Sequence, residues 1–394
     1  MHFFPPAFVG HFTPPGRRRK RWLYLGAKIC PVAKTPAAPA VLRPHAETAY
    51  AAELAALAAS DQLPRPTGWL LSPRAVVNYL AGDTLPDGTE ISTKYFGDRR
   101  LLEVAVASLV TDRALLLVGV PGTAKTWVSE HLAAAISGNS TLLVQGTAGM
   151  SEDALRYGWN YARLLSEGPS AAALVPSPVM IGMQTGKLVR LEELTRIPSD
   201  VQDALITVLS EKILPIPELN TAVSAVRGFN IIATANDRDK GVNELSSALR
   251  RRFNTVVLPL PATLEEEIRI VTDRSSAAAA GMELPPIQKD AAAEIRRLVT
   301  IFRELRTGRT EDGRTQLKPP SATLSTAEAI SVVNQSRALS HHFGGGELSP
   351  EFLVASLSGA VIKDQGQDGP IWREYLEVVV RNRKGWEDLW EVMK

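Results

Sequence analysis

Lys125 and Thr126 draw attention because of what surrounds them in the stretch Arg113 to Trp127, RALLLVGVPGTAKTW. Leu115, Leu116, Leu117 and Val118 make an apolar run short enough for a buried strand. A glycine-bearing loop follows at once. After it, Val128, Leu132, Ala135 and Ile136 stand at helical spacing, with Gly138 as the stop. Strand, loop, lysine plus hydroxyl, helix is the order a phosphate cradle requires. Loop N–H groups then converge on a β-phosphate at the positive end of the helix. The candidate cradle is Gly119, Val120, Pro121, Gly122, Thr123, Ala124, Lys125, Thr126 and Trp127. For ATP, Lys125 would reach the β- and γ-phosphates and the Thr126 hydroxyl would ligate Mg²⁺. Ala124 stands where the pattern G-x-x-x-x-G-K-S/T has its second glycine. A right-handed backbone there would accept its Cβ, and a left-handed one would not.

Three further groups could complete such chemistry. The run Lys187 to Leu191 reads as a strand ending in Glu192-Glu193. Glu192 would hold the Mg²⁺ shell, and Glu193 would orient or deprotonate the water that attacks the γ-phosphate. Asn236 ends another strand-like run, Phe229 to Asn236, where its amide could bridge Glu193 and the nucleotide. Arg250-Arg251-Arg252 closes the stretch ELSSALRRRF, which reads as a helix, and one guanidinium there could act on a neighbouring subunit's nucleotide. A turn-forming Asn and a solvated basic helix end are the plainer readings of these last two groups.

The elements that must position them alternate. Thr141 to Val144 and Val256 to Leu258 add two more strands, and strands separated by helices imply a parallel sheet with both faces covered. Ahead of the loop, Glu47 to Ala59, a segment capped by Ser72-Pro73, and Arg99 to Val110 read as helices. Past Pro261 only helices are expected: Leu264–Arg274, Asp290–Arg306, Thr326–Ser340, and weaker ones at Pro350–Ile362 and Pro370–Val380. The fold class is therefore α/β, with a smaller all-α domain behind it. The expected division is 1–45 as a disordered extension, 46–261 as N-terminal helices plus the α/β domain, 262–345 as a helical lid and 346–394 as a helical extension.

Composition bounds the alternatives. At 394 residues the chain can bury a large core. Its longest apolar runs fall far short of a membrane span. A net charge of +2 argues against a mainly electrostatic nucleic-acid binder, although Arg17 to Arg21 form a local basic run. Cys30 is the single cysteine, so no intramolecular disulfide or thiolate cluster forms, and a cytoplasmic location is expected. Trp159 and Tyr161 read as packing residues. Adjacent His341 and His342 diverge on a helix and make a poor metal site.

Taken together, GVPGTAKT, LVRLEELTRIPSDVQDALITVLSEK, FNIIATANDRD and LSSALRRRF resemble an AAA+ ATPase of the MoxR branch, from about Phe96 to Pro259. MoxR-like proteins often carry alanine where Ala124 sits. The resemblance implies an AAA+ P-loop NTPase fold with a helical lid. It implies Lys125 and Thr126 as the phosphate-loop pair, Glu192-Glu193 as Walker B, Asn236 as sensor 1 and Arg252 as arginine finger. It also implies a homo-hexameric ring that remodels or activates a protein partner, often one with a von Willebrand factor A domain. Two positions depart from the family pattern. Glu192 replaces the usual aspartate, and the lid stretch Ser321 to Ala327 lacks the sensor 2 arginine, Arg337 being the nearest. A nucleic-acid motor and a nucleotide-dependent scaffold with little hydrolysis are the competing readings.

Overall fold

Along the strand that precedes the glycine loop, Leu115 and Leu117 pack to one side while Ala114 and Leu116 pack to the other. That alternation divides the first two thirds of the molecule into two apolar layers about one sheet. The computed structural model describes residues 41–236, 244–286 and 291–394. Within it, Leu42–Lys394 is one compact unit. Arg17 to Arg21, Cys30 and the end of the FNIIATANDRD stretch lie outside the described residues.

The central sheet has five parallel strands: β1 (Ala114–Gly119), β2 (Leu143–Gln145), β3 (Leu188–Glu192), β4 (Asn230–Asn236) and β5 (Phe253–Val257). Their spatial order is β5-β1-β4-β3-β2, so β4 inserts between β1 and β3. Registers bring functional ends together: Asn236 pairs with Gly119, Ala233 with Leu191 and Gln145 with Glu192. Strand β2 lies slightly later than Thr141 to Val144, and β5 starts earlier than Val256, at Phe253. In β5, Phe253 and Val256 are buried and Asn254 is only partly covered, an edge-strand pattern that conceals its start from a simple apolar count.

On one face lie α1 (Ala51–Ser60), α2 (Pro73–Ala81), α3 (Arg99–Val110) and α4 (Lys125–Ser137). The expected continuous helix from Glu47 is interrupted at Tyr50, whose φ of -115° and ψ of 25° are not helical. Helix α2 begins as its sequence requires, with Ser72 accepting from the Ala75 amide and Pro73 at the first position. The opposite face carries the helix Pro178–Thr185 and α5 (Ser199–Ser210). Three small antiparallel pairs lie outside the central sheet: Tyr157–Trp159 with Leu174–Pro176, Ile213–Ile216 with Thr221–Ser224, and Asp83–Thr84 with Glu90–Ile91. The first straddles a short helix on which Tyr161 is 68 % exposed, so Tyr161 is not the packing residue expected.

The remaining chain is helical: α6 (Leu264–Gly281), α7 (Ala291–Thr307), α8 (Thr326–Phe343), α9 (Pro350–Val361), Asp368–Tyr375 continuing into a wider turn at Leu376–Val380, and Glu387–Met393. The alanine run from Ala277 simply prolongs α6. A single apolar core runs from Val271 through Phe302 and Leu357 to Trp386 and Leu389, so residues 262–345 and 346–394 share it. Helix α8 opens with a reciprocal cap between Ser325 and Glu328.

Candidate functional site

The glycine loop turns on close backbone approaches. A Cβ at Gly119 would meet the Leu258 carbonyl and the Thr123 hydroxyl, so only glycine fits there. Thr123 tightens the turn by donating to the Val120 carbonyl at 3.0 Å. Lys125 folds over the loop and donates to the carbonyls of Gly119 at 2.8 Å and Val120 at 2.9 Å. Helix α4 starts at Lys125 with no side-chain cap, because Ala124 has none to offer. A helix N-terminus left this way is suited to an anion. Ala124 itself sits at φ 63°, ψ 21°, in the left-handed region, the less favourable of the two conformations for its Cβ. The tight entry into α4 holds it there at a cost of about 1 kcal/mol or more.

Glu192 is buried at the end of β3 and accepts four hydrogen bonds. Thr126 Oγ1 and Thr234 Oγ1 donate to Oε2 at 2.8 and 2.7 Å, while Ser129 Oγ and Arg190 Nη2 donate to Oε1 at 2.5 and 2.9 Å. Thr126 can give its proton to Glu192 and still offer a lone pair to a cation. The donor set is therefore a hydroxyl and a carboxylate beside a phosphate cradle. This all-oxygen set suits Mg²⁺, which is usually held by one or two carboxylates plus substrate phosphates. Among the described residues, His, Cys, Asp and Glu form no three-ligand metal cluster, and exposed His341 and His342 are part of none.

Glu193 follows in the left-handed region, at φ 57°, which turns it away from Glu192 and toward β4. Asn236 Nδ2 meets both of its carboxylate oxygens, and its amide N–H donates to Thr234 Oγ1 at 3.1 Å. The sheet edge thus gathers Lys125, Thr126, Glu192, Glu193 and Asn236. Arg252 stands elsewhere, bonded to Ser210 and to the Ala248 carbonyl of its own chain, while Arg250, Arg251 and Arg196 are exposed. Arg337 is buried in the helical domain on the Ser275 and Pro285 carbonyls, remote in role from any phosphate.

Trp127 forms the wall between the loop and the helical domain. Its Nε1 donates to the Lys94 carbonyl at 2.9 Å, and Arg274 from α6 stacks 4.2 Å above its ring. Arg274 also donates to the Thr93 and Lys94 carbonyls. Beneath Trp127, burial and the nearby cations Arg274 and Lys94 push the His131 ring down to about 2, so it stays neutral. The motifs do not indicate Arg190, Ser129 or Thr234. The available signal is spacing: Arg190 precedes Glu192 by two in a strand and Ser129 follows Thr126 by three in a helix, so each pair shares a face.

A parallel sheet in this order, with a phosphate loop after β1, paired acids at the end of β3 and a helical domain behind, defines an AAA+ ATPase fold. Residues 114–253 match the family described as an AAA domain of the dynein-related subfamily, and residues 265–394 match the YehL-like AAA+ ATPase C-terminal domain. The chain is 41% identical over 346 residues to the uncharacterized protein YehL of Escherichia coli (strain K12), covering 87% of this chain and 93% of that one. It belongs to the YehL-like AAA+ ATPase family. An uncharacterized protein of Staphylococcus haemolyticus is 26% identical over 158 residues, 40% of this chain and 59% of its own length. NtrX from Brucella abortus, solved with ATP, gives a TM-score of 0.45 at 14% identity over 68% of this chain and 54% of its own, too slight a likeness to argue from.

Proposed function

We propose that the chain is a Mg²⁺-dependent ATPase of MoxR type that works as a ring oligomer, a hexamer by family habit, and remodels or activates a protein partner. The observation that supports this most is the convergence of Lys125, Thr126, Glu192, Glu193 and Asn236 on one sheet edge. Lys125 would exchange the loop carbonyls for phosphate oxygens. Glu193 is free of the ion pair that engages Glu192 and would take the proton of the attacking water, while the Asn236 amide orients it. A bound Mg²⁺, held by Thr126 and Glu192, would supply Lewis-acid charge stabilisation at the phosphates. Arg252 is proposed to act in trans on leaving its Ser210 contact, with Arg250 and Arg251 the exposed alternatives. A von Willebrand factor A domain is the partner type proposed, and the cytoplasm the compartment.

The lack of an arginine at the lid's Ser321 to Ala327 stretch favours a second reading, a nucleotide-dependent scaffold with little hydrolysis. Against a nucleic-acid motor, the stretch from Pro217 to Gly228, which carries half of the hairpin before β4, holds one basic residue, Arg227. Single-turnover ATP hydrolysis by the wild-type protein and by Glu193→Gln separates enzyme from scaffold. The ATPase reading expects a large loss in the variant, and equal rates would overturn it.

A further inference from the structure

In an otherwise apolar strand, Arg190 is 4 % exposed and fully committed. Its Nη2 donates to Glu192 Oε1 at 2.9 Å and to the Thr126 carbonyl at 3.3 Å, its Nε to Ser129 Oγ at 3.1 Å and its Nη1 to the Ser140 carbonyl at 3.1 Å. The guanidinium is therefore anchored to the start of α4, to the loop that follows that helix and to the acid. Burying a charged pair is costly unless its geometry is good and its remaining donors and acceptors are satisfied, and here they are largely satisfied. The pair also answers a steric question. A glutamate carries its carboxylate one methylene beyond where an aspartate would place it. Arg190 and Ser129 hold Oε1 back on the helix side, which leaves Oε2 to meet Thr126 at 2.8 Å.

We propose that Arg190 is a positioning residue that fits Glu192 to the metal–nucleotide site, so that the two act as one unit in making nucleotide binding Mg²⁺-dependent. This rests on the ATPase reading above. Removing a partner that orients a metal-binding side chain typically costs 10–100-fold in metal affinity.

The test is fluorescent ADP binding to the full chain, titrated with Mg²⁺ and repeated in EDTA, for wild type, Arg190→Met, Glu192→Asp and the double variant. Melting curves report folding, and Arg190→Lys keeps the charge without the planar fork. The expected result is about a ten-fold rise in half-saturating Mg²⁺ for Arg190→Met, with EDTA binding unchanged. Arg190→Lys should show an intermediate rise, and the double variant should be no worse than the poorer single one, because coupled residues are non-additive. An unchanged Mg²⁺ curve in Arg190→Met and Arg190→Lys, or additive losses in the double variant, would overturn the inference. So would an equal loss of binding in EDTA, which marks a purely structural role. A wild-type chain whose ADP binding ignores Mg²⁺ would instead bring down the ATPase reading itself.

Discussion

Asn236 Nδ2 lies 3.2 and 3.0 Å from the two carboxylate oxygens of Glu193, so one amide grips the whole group. The grip spans two neighbouring strands and is reinforced by Thr234, which accepts from the Glu193 amide. Glu193→Gln preserves size while removing the base. Its hydrolysis should fall about 10²–10⁴-fold with nucleotide affinity little changed. Asn236→Ala should fall about 10²-fold, the usual scale for losing one oriented donor. Single-turnover kinetics beside equilibrium binding check both.

Ala124 offers a reversal of the usual rule that substitutions in functional loops destabilise. Its φ of 63° is one that glycine adopts without penalty. Ala124→Gly should stabilise the fold by about 1 kcal/mol, and Ala124→Val should destabilise it and weaken nucleotide binding together. Chemical denaturation midpoints with and without ADP measure this.

Arg252 should show two faces. In isolated protomers, Arg252→Ala loses its bonds to Ser210 and Ala248 and should cost about 1 kcal/mol. In the ring proposed above the same change should lower hydrolysis at least about 10³-fold. If the large kinetic loss appears in Arg251→Ala instead, the finger role moves one residue along.

Asp368 contributes to acid stability in the helical domain. Burial opposes its charge, yet amide donation from Ser321, Asp364 and Lys363 brings it down from 3.8 to about 2. A carboxylate depressed by folding stabilises above its ordinary range, and that stabilisation disappears as pH falls from about 4 toward 2. Asp368→Asn should therefore flatten the stability profile across that window. It should cost about 2 kcal/mol at neutral pH, where charge-assisted hydrogen bonds are lost. Urea midpoints across the acid range are the measurement.

Much of this site was legible because strand, loop and helix are contiguous in sequence: Leu115 to Ile136 specify their own geometry, and Glu192 and Asn236 follow apolar runs whose ends must lie at one sheet edge. What was not legible depends on contacts between distant segments. The left-handed backbones of Ala124, at the turn into α4, and of Glu193, at the turn out of β3, have no signal in residue type, since neither residue prefers that conformation. Arg190 carries no sign of its role in the run Lys187 to Leu191, because its partners Ser129 and Ser140 lie 61 and 50 residues away. Arg274 lies more than a hundred residues from Trp127, and nothing in local spacing links the two.

Ser325, at the start of α8, rests so close to Gly122 that a methyl group there would collide with its Cβ. The tip of the phosphate loop and the C-terminal third of the chain thus share a wall with no slack. That wall continues into a helix whose Ala329, Val332 and Val333 are built into the tryptophan-bearing core. Whatever displaces Ser325 therefore bears on the helical domain as one body, and Gly122→Ala would act as a wedge between that domain and the loop.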